Sequence, residues 1–262
     1  RLTRGFSMAA EHYLIIGGTT GIGRAMVKRL SAQGQTISVI GRHPSPEVEQ
    51  HLAGIHFYAV DLVDHAATQQ AIDRSVEAAG KLSHVVFFQR YRGKGDAWEG
   101  ELQVSLTATK VIVEHCRDKF DGTGNHAIVI VSSIASRLVL AEQPVSYHMA
   151  KAALVQMMRY YAVTLGSSGI RVNAVSPDAC VKEEARKFYE ENVPLRELNN
   201  SIIPLGRMGT SEDVVNVIQF ICSAQAGFMT GQEIVVDGGL SIVGHSALAR
   251  KVGGLDKMKI TR

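Results

Sequence analysis

Long apolar runs are missing from this chain of 262 residues. No stretch reaches the roughly 18 residues that a membrane-crossing helix needs, so the expectation is a soluble, cytoplasmic protein with no membrane partner. Cysteine is scarce. Cys116, Cys180 and Cys222 stand too far apart for a disulfide framework or a thiolate cluster. The ten histidines are scattered over separate segments, with no His-Glu-x-x-His pair, so no metal site is expected. Only six prolines occur. No linker, repeat or composition break divides the sequence, and one domain is the economical reading.

A strongly basic body is also lacking. The formal charge is +3, yet residues 245–262 carry five Lys/Arg against one Asp, and Arg1 and Arg4 add two more. The remaining residues, 8–244, are therefore net −3. Basic ends of this kind affect solubility more than they identify a partner. Residues 1–7 read as a tag remnant or an upstream extension, and 245–262 as a basic tail.

What is present is an alternation of β-branched runs and helical periodicity. Strands are predicted at Tyr13–Ile16, Thr36–Ile40, Phe57–Val60, Val85–Phe88, Ala127–Val131, Arg171–Val175 and Glu233–Val236. Helices are predicted after Gly21, from about Asp64 to Ala79, and over Leu102–Phe120, Tyr147–Leu165 and Ser211–Cys222. Apolar strands alternating with helices imply an α/β fold with a mostly parallel sheet covered on both faces. Residues 182–200 are too polar for core and too long for an ordinary loop, which suggests small mobile helices lying over something.

The first strand runs into Gly17-Gly18-Thr19-Thr20-Gly21-Ile22-Gly23. Gly17 suits a tight or left-handed backbone position, Gly21 a close approach to phosphate, and Gly23 tight helix–sheet contact. A close chain crossing alone could also use three glycines. Their place after the first strand favours a dinucleotide, with Thr19, Thr20 and Ile22 beside it. No Lys-Ser/Thr pair follows, which excludes a nucleoside-triphosphate loop. The second strand ends at Arg42 rather than at an acidic residue. Arginine favours a 2′-phosphate, so NADP(H) is expected over NAD(H). Asp61, with Leu62 after it, either accepts a bond from the adenine amino group or serves the turn.

Tyr147 and Lys151 stand four apart, on one helical face, and Ser132-Ser133 end a buried strand. A lysine ammonium stabilises phenolate, which suits a tyrosine to acid–base work, and a serine hydroxyl can hold a carbonyl oxygen as charge develops. Such a pair alone is more often an amphipathic face.

Taken together, these motifs resemble the classical short-chain dehydrogenase/reductase family, of the type related to 3-oxoacyl-carrier-protein reductases. The resemblance runs from Tyr13 to Gly239 and rests on the glycine turn, Asp61-Leu62, Ser132-Ser133 and Ser146-Tyr147-His148-Met149-Ala150-Lys151. It continues through Arg171-Val172-Asn173-Ala174-Val175-Ser176-Pro177, Pro204-Leu205-Gly206-Arg207, Thr230-Gly231-Gln232 and Asp237-Gly238-Gly239. It implies a Rossmann-like three-layer sandwich around a seven-stranded sheet. It also implies a Tyr147 proton donor, a Lys151 that supports it and holds ribose, a Ser133 that orients the carbonyl, and a homodimer or homotetramer. Residues 182–200 then resemble a substrate lid, and 8–244 a single dinucleotide-binding domain. The apolar and aromatic faces of Val104–Cys116 and Ala152–Tyr161 are core or, on the resemblance, oligomer surface.

The departures are equally specific. Where the family has Asn-Asn-Ala-Gly, this chain has Phe87-Phe88-Gln89-Arg90. Ser105 falls where the family has a catalytic asparagine. Past Pro177, Asp178 and Lys182 stand where Gly and Thr are usual. Arg90 either reaches outward toward solvent or an anion, or crowds the nicotinamide groove. The basic–aromatic run from Phe87 to Lys94 reads first as the end of a buried strand and the loop after it; if its basic residues bind anything, an acidic small substrate or a carrier's phosphopantetheine fits better than nucleic acid. The expectation is thus an NADP(H)-dependent enzyme interconverting a carbonyl and a secondary alcohol. The alternative is a catalytically weak or inactive dinucleotide-binding or structural subunit.

Overall fold

The computed structural model describes residues 10–46, 54–122 and 124–255, so the expectations for residues 1–7 and for the end of the basic tail lie outside it. In chain order the elements are β1 (His12–Ile16), α1 (Gly21–Ala32), β2 (Thr36–Gly41), β3 (Ile55–Ala59), α2 (His65–Ala79) and β4 (His84–Phe87). The short α3 (Ala97–Glu101) passes through a π-helical turn, Leu102–Thr107, into α4 (Ala108–Cys116), followed by β5 (His126–Val131), α5 (Val145–Gly166) and β6 (Ile170–Pro177). Then come β7 (Cys180–Val181), α6 (Arg186–Glu191), α7 (Val193–Ile202), β8 (Gly209–Thr210), α8 (Ser211–Cys222), β9 (Glu233–Val236) and α9 (His245–Val252).

Seven parallel strands form one sheet in the order β3-β2-β1-β4-β5-β6-β9, and β7 pairs with β8 in a separate ribbon. Successive side chains of a strand alternate between sheet faces. Leu14 and Ile16 accordingly join Phe87, Ile112, Leu154 and Met158 under α2, α4 and α5. Ile15 joins Met26, Leu30, Val215 and Ile218 under α1 and α8 on the other face. Each such buried side chain contributes about 1.5–3 kcal/mol relative to exposure. The expected Rossmann-like sandwich is what these two layers build around the sheet.

Strand order reverses between β1 and β4, and a crevice opens there at the carboxyl ends of the strands. Two features depart from the expected elements, while the small helices expected in 182–200 are present. The helix placed at Leu102–Phe120 begins earlier, because Asp96 caps it by accepting from the Trp98 and Glu99 N–H groups, and it stops at Cys116. The region 182–200 holds α6 and α7, flanked by the β7–β8 ribbon. Residues 245–252 are helical and pack against α7.

Candidate active site

Ile16 runs out of β1 into the glycine turn, where two close backbone approaches exclude side chains. A Cβ on Gly17, whose φ is +80°, would lie 2.9 Å from the Gln89 backbone nitrogen. One on Gly23 would lie 2.5 Å from the Gly17 carbonyl oxygen. Gly21 also has positive φ, and a Cβ there would meet the Lys182 side chain at 3.2 Å. The turn thus holds the start of α1 at the open end of the crevice.

The N-terminus of α1 is capped by a distant residue. Its N-cap, Thr20, makes no side-chain bond, whereas the Gly21 N–H donates to the Glu184 carboxylate at 2.9 Å. Glu183 beside it pairs with Lys28 at 3.3 Å and with Arg24 at 3.8 Å. Partial burial alone would raise the Glu184 carboxyl. The Gly21 N–H, its own N–H, Arg24 and Lys182 outweigh that and hold it below the ordinary carboxylate range. A helix N-terminus with unsatisfied N–H groups attracts anions, and here a carboxylate has taken that place. The cradle fits a dinucleotide pyrophosphate on both counts: backbone that excludes Cβ atoms, and an N–H already holding an anionic oxygen.

From this turn a cleft of about 780 Å³ runs across the strand ends to the start of α5. Gly17, Thr19, Thr20, Gly21, Ile22 and Gly23 line one end, with Arg42, Asp61 and Leu62 beyond them. Arg90, Ser133, Tyr147, Lys151, Pro177 and Asp178 line the other. Arg42 is exposed at the end of β2, with no acidic residue between Gly41 and Pro44. Asp61 does serve the turn, its carboxylate accepting from the Val63 N–H at 3.3 Å, while also bordering the cleft.

The two serines at the end of β5 have different partners. Ser132 is buried, and its hydroxyl donates to the Lys151 carbonyl at 2.9 Å. Ser133 faces the cleft and accepts from the Ala135 N–H at 3.2 Å. Lys151, fully buried, donates from Nζ to the Val131 carbonyl at 3.0 Å and stands 5.6 Å from the Tyr147 ring centre. Burial pushes the Lys151 ammonium down to about 8. Arg90 and Lys182 push the same way, and Glu101 opposes them. Arg90 brings its guanidinium carbon within 4.7 Å of the Tyr147 ring centre. Asp178 accepts from the Ala179 N–H at 2.6 Å; burial nevertheless raises its carboxyl.

Ser105 alone among the sequence-predicted residues does not line the cleft. It is buried, and its hydroxyl donates to Glu101 at 2.5 Å within the π-helical turn, which instead directs Val104 to the cleft wall. Two partners escaped the sequence reading. Glu101 is spaced one turn before Ser105, a signal the sequence does contain; Glu184 contacts a residue 163 positions away and leaves none. His148 packs edge-on against Tyr147, accepting from the Leu140 N–H and bonding the Pro144 carbonyl, so it holds the loop before α5.

A family model described as enoyl-(acyl carrier protein) reductase matches residues 17–241. The 3-oxoacyl-[acyl-carrier-protein] reductase of Aquifex aeolicus is 30% identical over 251 residues, covering 87% of this chain and 96% of that protein. L-rhamnose 1-dehydrogenase (NAD(P)(+)) of a Sphingomonas strain is 28% identical over 243 residues, covering 87% and 95%. Among solved structures, a short-chain type dehydrogenase/reductase from Mycobacterium ulcerans superposes with a TM-score of 0.78 at 26% identity, covering 95% of this chain and 98% of that one.

Proposed function

Because this chain belongs to the short-chain dehydrogenase/reductase family, we propose that it is an NADP(H)-dependent oxidoreductase interconverting a carbonyl and a secondary alcohol. The observation that carries this reading is the meeting of Ser133, Tyr147 and Lys151 on the wall of a cleft whose far end is the glycine turn. The Aquifex and Sphingomonas relatives support the reaction class, since one is named as a reductase and the other as an NAD(P)+-dependent dehydrogenase. Arg42, which follows β2 where an acidic residue would suit a ribose diol, supports the phosphorylated cofactor.

When bound, NADPH supplies the hydride that reaches the carbonyl carbon. Gly17 to Gly23 and the N-terminus of α1 would hold its pyrophosphate, Arg42 its 2′-phosphate, and Asp61 with Leu62 its adenine. Pro177 and Asp178 would border its nicotinamide end. The substrate oxygen rests between the Ser133 and Tyr147 hydroxyls, which donate to it as negative charge develops. Tyr147 then gives its proton to that oxygen, and the Lys151 ammonium favours the phenolate left behind. In oxidation the same groups act in reverse. Ser105, with its hydroxyl engaged by Glu101, has a positioning role at most. Met158 and Tyr161 belong to the core, but Tyr160 and Val163 of α5 are exposed, which supports a homo-oligomeric assembly on that face.

Replacing Tyr147 by Phe tests the mechanism. Turnover of ketones with NADPH should fall by about 10²–10⁴-fold, the usual size of a general-acid contribution, with NADPH affinity within twofold of the parent. Full activity in that variant would sink the mechanism. A second reading, a weak or inactive dinucleotide-binding subunit, is favoured by one observation: Lys182 and Glu184 cover the phosphate end of the cleft. Parent protein that binds NADPH tightly yet reduces no ketone would select it.

A further inference from the structure

We propose that Arg90 forms an anion subsite beside Tyr147, so that the substrate is a carbonyl compound carrying a carboxylate or phosphate a few bonds from the reacting carbon. That the anion belongs to a carbonyl substrate rests on the reading of Tyr147 as the proton donor; the anion subsite itself rests on the placement of Arg90. Its basis is a cation that has been placed and left without an anion. Arg90 follows β4, and both of its neighbours are fixed. The Gln89 backbone packs on Gly17, and its side-chain amide donates to Thr109 at 2.7 Å. The Tyr91 hydroxyl accepts from the Gly95 N–H at 2.9 Å, while its ring fills the space over Gly93 and Gly100.

Held in this way, the guanidinium lies 4.7 Å from the Tyr147 ring centre and borders the cleft. Its Nε is buried and has no hydrogen-bond partner. Among the described residues no carboxylate pairs with it. The acidic residues lining the cleft are Asp61, Glu142 and Asp178. Two of them already accept backbone N–H groups, Asp61 from Val63 and Asp178 from Ala179. Arg92 and Lys182 add further positive charge to the same walls.

Contact with a ring face consumes none of the five guanidinium donors, and the planar fork matches carboxylate and phosphate oxygens. A neutral oxygen could accept from this donor but would leave the guanidinium charge unbalanced next to the reacting oxygen; an anionic group satisfies the donor, balances the charge and is oriented by the fork. The alternative, that Arg90 serves only the cofactor's phosphates, predicts a different outcome and is separated below.

Two probe pairs differ in charge but share a ketone: 4-oxopentanoate with its methyl ester, and dihydroxyacetone phosphate with dihydroxyacetone. Each is titrated by calorimetry into NADP+-saturated protein, which cannot reduce it, and its kcat/KM with NADPH is measured separately. The expected result is an anion preference of at least tenfold in one pair, the size of a charge-assisted bond. In Arg90→Gln that preference should fall to within threefold of unity, and Arg90→Lys should lie between. The ratio is taken within each protein, so a uniform loss of activity or folded fraction cancels. The responding pair tells carboxylate from phosphate.

Equal binding of charged and neutral probes by the parent, or an undiminished preference in Arg90→Gln, overturns the subsite. So does an Arg90→Gln defect confined to NADPH affinity. If the anion preference is present in the titrations but no probe is reduced, the subsite stands and the oxidoreductase reading falls. If neutral and charged ketones are reduced equally well, the converse holds.

Discussion

Glu184 should compete with the cofactor, and its removal should tighten NADPH binding. Its carboxylate accepts from the Gly21 N–H at 2.9 Å, at the helix end where a pyrophosphate would bind. Both cannot occupy the same N–H group. A bond to a charged acceptor contributes about 1.5–3 kcal/mol, but Glu184 is exposed, and charges at exposed helix ends contribute about 0.3–1 kcal/mol. The lower figure governs, so about 1 kcal/mol is the competition to be relieved, equivalent to roughly fivefold in Kd. Glu184→Ala should therefore bind NADPH about two- to fivefold more tightly in a fluorescence titration. Without the cofactor it should be less stable to urea by no more than about 1 kcal/mol. Glu183→Gln, which keeps Glu184 but releases the ion pair with Lys28, should give a smaller shift in the same direction. Unchanged or weakened binding in Glu184→Ala would refute the assignment of the α1 N-terminus as the phosphate site.

Lys151 carries a pH prediction. Its ammonium is held at about 8 by burial first, so it is charged below that pH and neutral above. Reductive kcat should fall as pH rises through about 8, and Lys151→Met should remove both the activity and this limb of the profile. The stability effect has the opposite sense. Between about 8 and the unfolded value near 10.5 the folded state binds fewer protons than the unfolded state, so the Lys151 contribution grows with pH across that window. Urea midpoints of the parent should rise relative to those of Lys151→Met from pH 8 to pH 10. Gly17→Ala should destabilise by about 1–3 kcal/mol, because its φ of +80° and the Gln89 nitrogen at 2.9 Å leave no room for a methyl group. An unchanged urea midpoint would contradict the packing argument.

The sheet was legible because β5 and its neighbours are continuous apolar runs, and such runs are what a strand buried on both faces requires. The spacing of Tyr147 and Lys151 put them on one helix face, and only the family resemblance marked that face as a site; both do line the cleft. The β7–β8 ribbon was not legible, since each strand is two residues long and the pairing joins Cys180 to Gly209 across the intervening helices. Nor could the π-helical turn be read, although it decides that Ser105 faces Glu101 and that Val104 faces the cleft. Periodicity reports which face of an element is apolar; it carries no record of which polar side chain meets a distant N–H.

Parallel titrations with NADPH and NADH decide whether this cleft takes the phosphorylated cofactor. Saturable binding of both is expected, tighter for NADPH, with the preference lost or reversed in Arg42→Asp. Binding of neither dinucleotide, or a parent protein that prefers NADH, would contradict the NADP(H) reading.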